Sequence, residues 1–289
     1  MNRRASLCVL VIGFAAIVGL SADPVAAQCS IALVSDGSEL DDSTFQSALT
    51  GMGISYSIFN DNETAAGAIV YMDDPTFLAS WNIIVWYQSG YGGSGRAITV
   101  AEHDAVAAWL ATGGRLIVTG YDVIGSPDDP LMADLVRSSS YGDYTSGYYS
   151  DVVVNHPITN GAYGNFVGVT GIEAYYSDND DVVADAGRGA VAVSLVNYVL
   201  ADNIAKILVT EDAGTGMIVI FWNGNYDIGD WNDPGGYPDT YNLMRNMMDY
   251  ICTGAPLVAV DVPTVNWLGA TLLAVLLAGV GFFLAVRRL

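Results

Sequence analysis

Three glycines, Gly90, Gly92 and Gly95, fall at the G-x-G-x-x-G spacing directly after an apolar run, in the stretch NIIVWYQSGYGGSGRAITVAEHD that begins at Asn82. Glycine lets a backbone approach an anion closely and turn its N–H groups toward it, so a loop of this kind suits a phosphate or an oxyanion. A dinucleotide fingerprint does not fit. That loop follows the first strand of its unit, and its third glycine opens the helix. An acid stands about 20 residues further on. Here the helix begins four residues past Gly95, at Thr99, and no second strand ends in such an acid. Other reactive side chains are sparse. Asp122 stands alone in VTGYD and His156 in NHPIT, while His103 shares a helical face with Val106, Ala107 and Leu110, where packing accounts for it. Neither a Ser-His-Asp order nor a G-x-S-x-G elbow is present. Asn223, Asn225 and Asp227 alternate in NGNYDIGDWNDPGG, with Asp230 and Asp233 behind them, and oxygen ligands at this spacing suit calcium. The glycine stands seventh rather than sixth and no Glu holds the twelfth place, so a plain polar loop is the alternative. Calcium is the one cofactor these residues suggest. Aromatics in SYGDYTSGYYSD, and Trp222, Tyr226, Trp231 and Tyr237, would either stack on sugar rings or pack their segments onto a sheet.

The elements that position these groups are legible from periodicity. SIALVS, Ser30 to Ser35, is a short apolar run ending at Asp36-Gly37 and predicts a first strand. Phe45, Ala48, Leu49 and Met52 then recur at helical spacing up to Gly53, a helix stop. SYSIF, Ser55 to Phe59, alternates as a second strand, and NIIVWY is a third, apolar throughout and so buried on both faces. Thr99 with Glu102 three residues on forms a capping box for a helix that runs to Thr112 before Gly113-Gly114. RLIVTG, Arg115 to Gly120, is the fourth strand. Strands alternating with glycine-terminated helices predict a doubly wound, mostly parallel sheet. Residues 137–198 read as a β-rich insert, and AKILVTEDAGTGMIVIFWN as an antiparallel hairpin at the sheet's edge. A last helix, Thr240 to Cys252, carries Leu243, Met247, Met248 and Ile251 on one side.

The succession IALVSDG, GMGISYSIF, ASWNIIVWYQSG and ITVAEHDAVAAWLATGGRLIVTGYD resembles the class I glutamine amidotransferase-like group of flavodoxin-like domains, over Ile31 to about Asp122. The resemblance implies that the loop after the third strand supplies backbone N–H groups to an oxyanion, which accounts for Gly90 to Gly95. It also implies a nucleophilic cysteine at the elbow after the fourth strand. Gly120, Tyr121 and Asp122 stand there instead, so the family's thiol chemistry is absent. The expected ligand crevice lies at the C-terminal strand ends: Asp36, Gln88, Ser89, Gly90, Gly92, Tyr121, Asp122 and Asn223.

The two ends of the chain predict a place outside the cytoplasm. Arg3 and Arg4, an apolar stretch from Leu7 to Leu20 and a small-residue motif before Gln28 predict a secretory signal peptide over 1–27. The domain then spans 28–253, with a linker over 254–261. Leu268 to Val286 is uncharged and long enough to cross a bilayer, with Arg287 and Arg288 behind it and Trp267 at its mouth. With Pro263 and Thr264 ahead, residues 262–289 resemble the PEP-CTERM and IPTL-CTERM sorting signals processed by exosortase-like enzymes of Gram-negative bacteria. Val262, Val265 and the early Trp267 depart from that pattern, and an ordinary C-terminal anchor is the alternative. Residues 28–261 hold 6 basic and 30 acidic residues, a balance of 6 − 30 = −24, which repels nucleic acid and anionic lipid. Cys29 and Cys252, the only cysteines past the leader, would meet as a disulfide in an oxidising compartment, since a last helix ends where a first strand begins. Two functions stay open: a non-catalytic module binding a glycan or a protein, or an extracytoplasmic hydrolase using Asp122 or His156, with or without calcium.

Overall fold

The computed structural model describes residues 29–35, 46, 49–60, 71–89, 97–121, 123–124, 129–142, 149–173, 182–196, 204–222 and 238–253. The first half alternates strand and helix: β1 (Ser30–Ser35), β2 (Ser55–Asn60), α1 (Pro75–Ala79), β3 (Ile83–Ser89), α2 (Val100–Leu110), β4 (Arg115–Tyr121) and α3 (Pro130–Leu135). Short strands follow, β5 (Ser138–Ser140), β6 (Tyr149–Val152), β7 (Asn160–Gly161), β8 (Gly164–Asn165), β9 (Ile172–Glu173) and β10 (Val183–Ala184). Then come β11 (Ala190–Val196), β12 (Ala205–Asp212), β13 (Met217–Trp222) and the long helix α4 (Pro238–Thr253).

Nine strands make one sheet in the order β2-β1-β3-β4-β13-β12-β11-β6-β9. The first five run parallel, the 2-1-3-4-5 order of a flavodoxin-like fold. From β13 onward every pairing is antiparallel. The hairpin β12–β13 was expected at the sheet's edge and instead lies in its middle, between β4 and β11. Its composition explains the position. All six residues of β13, MIVIFW, are buried, and a strand without polar alternation needs cover on both faces. The insert supplies the strands beyond the hairpin.

Period-two alternation splits the apolar residues between two cores. Ile31, Leu33, Val85, Tyr87, Ile117 and Ile220 face α4, which buries Met244, Met247, Met248 and Ile251 against them. Ala32, Val34, Trp86, Leu116, Val118 and Phe221 face α1, α2 and α3. Each fully buried apolar side chain contributes about 1.5–3 kcal/mol, so both faces must be covered for the sheet to persist. α2 starts at the expected capping box: the Glu102 backbone N–H donates to Thr99 Oγ1 at 3.2 Å, and the Thr99 N–H donates to Glu102 Oε2 at 2.7 Å. α1 and α3 were not foreseen. Each follows an Asp-Pro pair, with Asp74 or Asp129 capping the first turn and proline pre-set for the first helical position.

Cys29 and Cys252 form a disulfide with Cα atoms 5.3 Å apart. At the same sheet edge Arg115 Nη1 donates to the carbonyls of Ile251 (2.9 Å) and Cys252 (3.2 Å), capping the end of α4 with positive charge. Among the described residues no helix is long and apolar enough to cross a membrane. The anticipated leader over 1–27 and the segment 254–289, with Pro263, Thr264, Trp267, Arg287 and Arg288, lie outside them.

Candidate functional site

The parallel strands bring the expected crevice to one edge through their register. Ser35 aligns with Tyr87, Gln88 with Gly120, Ser89 with Tyr121, and Thr119 with Trp222. The backbones of Gln88, Ser89 and Tyr121 therefore run side by side where β3 and β4 end. Asp36, Asp122 and Asn223 are the next residues after β1, β4 and β13, and they lie outside the described residues, as do Gly90, Gly92, Asn225 and Asp227. Among the described residues no three metal-ligating side chains gather; the candidate calcium loop falls beyond them.

One residue at this edge escaped the sequence reading. Lys206 is the only lysine of the chain, and only 4% of it is exposed. It is the extra residue of a β-bulge: Leu195 pairs with Ala205 and Ser194 with Ile207, so Lys206 is skipped. Ile207 in turn pairs with Trp222, the last residue of β13, which sets the bulge at the crevice edge. Beside it the fully buried Ser194 Oγ has no hydrogen-bond partner among the described residues. Bulges re-aim side chains and favour the surroundings of functional sites. The available signal was a lone lysine between Ala205 and the apolar run Ile207 to Val209, in a chain with 31 acids.

His156 does not belong to the crevice. Its Nε2 lies 2.8 Å from Glu211 Oε1, and Glu211 pairs with Ile218, which pairs with Arg115 at the start of β4. The start and end of β4 are six residues apart, roughly 20 Å at about 3.3 Å per residue, so His156 sits at the opposite edge. The Ile158 N–H donates to His156 Nδ1 at 3.2 Å, so the proton is on Nε2 and is given to Glu211. Both ring nitrogens are engaged and none is left to abstract a proton. Tyr250 of α4 donates its hydroxyl to the same carboxylate oxygen and packs its ring edge-on to the imidazole at 4.9 Å. The His156 hydrogen bond holds the Glu211 carboxyl below its usual range against the opposing effect of burial, with help from Tyr250. Burial, and then the Glu211 carboxylate, push the Tyr250 phenol well above its ordinary value. The trio clamps the NHPIT turn and the hairpin to α4, a structural use.

His103 is half-buried on α2, as its helical face suggested, but it is ionically engaged. Its Nδ1 and Nε2 each lie 3.0 Å from a carboxylate, Asp104 and Asp134, and Arg188 Nη1 meets Asp134 at 2.7 Å. Burial opposes the imidazolium, yet the two carboxylates outweigh it and raise the ring above its ordinary 6.5. For Asp134 burial is likewise outweighed, by His103 and Arg188, and its carboxyl is lowered from 3.8. The histidine's contribution to stability is thus full below pH 6.5 and fades as pH rises through its raised value, while that of Asp134 is full above 3.8 and fades in acid. His103→Gln is expected to lose within about 1 kcal/mol, the worth of a partly exposed pair, with the deficit greatest at pH 4–6.5 and smaller at pH 9. Urea midpoints across that range measure it; a deficit growing toward pH 9 would contradict the pairing.

No protein-family model matches the chain, and no curated protein matches it by sequence. Solved structures do match. The N-terminal domain of mmIFT52 superposes with a TM-score of 0.52 at 13% identity, over 77% of this chain and 97% of that one. A ThuA-like protein from Bacteroides uniformis reaches 0.50 at 13% identity, over 78% of this chain and 91% of that one. A glutamine amidotransferase from Thermotoga maritima is also among the neighbours, at 0.45 and 8% identity, over 78% and 97%. At such identities the likeness is one of fold.

Proposed function

We propose that this chain is an exported binding module, held at the membrane or the cell surface by its C-terminal segment, that carries an amidotransferase-like strand-end crevice without thiol chemistry. The observation that carries it is the fate of the cysteines. Apart from Cys8 in the predicted leader, the chain has only Cys29 and Cys252; they are bonded to each other, and at the sheet edge away from the crevice. No thiolate remains to act as nucleophile, and the one described histidine outside α2 has both nitrogens occupied. What such a crevice would offer is recognition: the polar positions Gln88, Ser89, Tyr121, Asp122 and Asn223 at the strand ends, and the glycine-rich stretch Gly90 to Gly95, to which the resemblance gives an oxyanion-binding role. A glycan or a protein segment is the ligand class that these groups and the many aromatics suit. The C-terminal segment would be read by an exosortase-like enzyme near Pro263-Thr264.

Glycan and peptide libraries presented to the purified protein test this. Saturable capture without product is expected, and Asp122→Asn should weaken capture about tenfold or more, since a hydrogen bond to a charged group is worth about 1.5–3 kcal/mol. Turnover by the natural chain that Asp122→Asn abolishes would sink the binding reading and establish a hydrolase. Intact mass of the mature protein reports the sorting step, which requires a chain ending before Trp267; Arg287 and Arg288 still attached would leave a plain anchor.

A further inference from the structure

A cavity of about 220 Å³ lies on the α2–α3 face, at the edge opposite the crevice. Leu110 and Leu135, the last residues of α2 and α3, line it together with Met217 and with Asp212 and Thr215 of the hairpin turn. Asp134 and Arg137 line it too, and the circumstances of Arg137 are unusual in three respects.

Its backbone is left-handed, φ +61, the one non-glycine residue with positive φ among those described. The position is the second after α3, where glycine or asparagine is preferred because a larger side chain is strained there. Such strain persists when the surroundings use the residue. Second, among the described residues the guanidinium has no hydrogen-bond acceptor. The carboxylate of Asp134 is taken by Arg188 and His103, and that of Asp212 by the Gly214 N–H and the Thr215 hydroxyl. Among the described residues Arg137 itself makes only backbone bonds, its N–H to Asp134 and its carbonyl from Asp185. Third, burial and then the neighbouring Arg188 charge lower the Arg137 guanidinium from its ordinary value by more than the Asp134 and Asp185 carboxylates raise it. An anion would relieve both. The surroundings are also out of keeping with the acidic domain, because two of its six basic residues, Arg137 and Arg188, and one of its two histidines gather here.

We propose that this cavity binds a small carboxylate bearing a short hydrocarbon group, the carboxylate held by Arg137 and the hydrocarbon by Leu110, Leu135 and Met217. A planar guanidinium matches a carboxylate bidentately, and the apolar lining requires a hydrocarbon partner. The volume is that of roughly seven waters at about 30 Å³ each, which limits the ligand to a comparable number of non-hydrogen atoms. Arg137 is the cation that lines the cavity, beside Asp134 and Asp212, while Arg188 and His103 are paired with Asp134, and this balance suits a monoanion better than a phosphate. The carboxylate can belong to a free acid or to the C-terminus of a polypeptide. The site is separate from the strand-end crevice and stands or falls without it.

Calorimetric titration of the full chain decides the matter, with 4-methylpentanoate and its uncharged amide as probes. Saturable binding of the acid is expected, at least tenfold tighter than that of the amide. Arg137→Gly should lose that binding at least tenfold while its thermal midpoint stays level or rises, because glycine accepts positive φ without strain. Arg137→Gln keeps the volume, removes the charge and should lose binding equally, so the result does not hang on one variant. Alanyl-alanyl-leucine, as acid and as amide, separates the sources: tighter binding than 4-methylpentanoate assigns a polypeptide terminus, weaker binding a free acid. Amides that bind as well as acids, an Arg137→Gln protein that binds like the natural one, or no saturation by either acid would each overturn the proposal.

Discussion

Replacing Cys29 and Cys252 together by alanine is expected to cost about 5 kcal/mol of stability and to lower the thermal midpoint by roughly 10–20 °C. The bridge spans 223 residues, and the chain-entropy model puts the constraint it removes from the unfolded state at about 5 kcal/mol for so long a loop. A domain of this size loses about 2–4 °C per kcal/mol. The native state has little to lose beyond the bond, since Arg115 still caps α4 through the Ile251 and Cys252 carbonyls. Guanidinium unfolding of the natural chain, with and without reductant, should reproduce the deficit of the double variant. A reductant-insensitive midpoint in a chain shown to carry the bond would refute the assignment of its role.

Gly113→Ala is expected to be the most damaging single glycine substitution among those described, at about 2–5 kcal/mol. Two costs coincide there. Gly113 has φ +98, so any side chain incurs the left-handed penalty of about 1–2 kcal/mol. A Cβ would also stand 2.5 Å from the Thr215 carbonyl oxygen, a backbone atom that cannot swing aside, and overpacking of this kind adds about 1–3 kcal/mol. Gly53 isolates the first cost, because its φ is +70 and no atom of the described residues lies within 4 Å of where a Cβ would stand, so Gly53→Ala should lose only about 1–2 kcal/mol. Denaturant midpoints at unchanged slope compare the two. If Gly113→Ala proved no worse than Gly53→Ala, the contact between the end of α2 and the hairpin turn would be looser than described.

The contrast between these glycines shows what a sequence discloses. That both Gly53 and Gly113 end helices is visible in the chain, because a stop signal is local. That one of them touches Thr215, about a hundred residues on, is not. The same division runs through the fold. β1 to β4, the Thr99–Glu102 box, the β12–β13 turn and α4 all rest on short-range periodicity and were read with their boundaries within a few residues. Strand order in the second half depends on which edge each strand finds, and there the hairpin was misplaced, although the unbroken run MIVIFW held the clue that both its faces are covered. The Asp-Pro pairs at 74–75 and 129–130 were equally available as helix starts for α1 and α3. For the site, residues at strand ends followed from topology, whereas the His156–Glu211–Tyr250 clamp joins positions 55 and 39 residues apart and leaves no local pattern. Lys206 carries no local signal of its bulge, because a bulge depends on how β12 pairs with β11, strands the sequence does not pair.

The bridge between the first strand and the last helix also decides what happens to the domain under tension. A pull entering ahead of Cys29 and leaving past Cys252 meets 5.3 Å between two Cα atoms before it meets any hydrogen bond of the sheet. The chain between them, with a sequence separation of 223 residues and roughly 750 Å long if drawn straight at about 3.4 Å each, is shunted out of the force path. Whatever holds the two ends, the folded domain hangs from them as a closed loop, neither lengthening nor yielding under shear until a reductant opens its clasp.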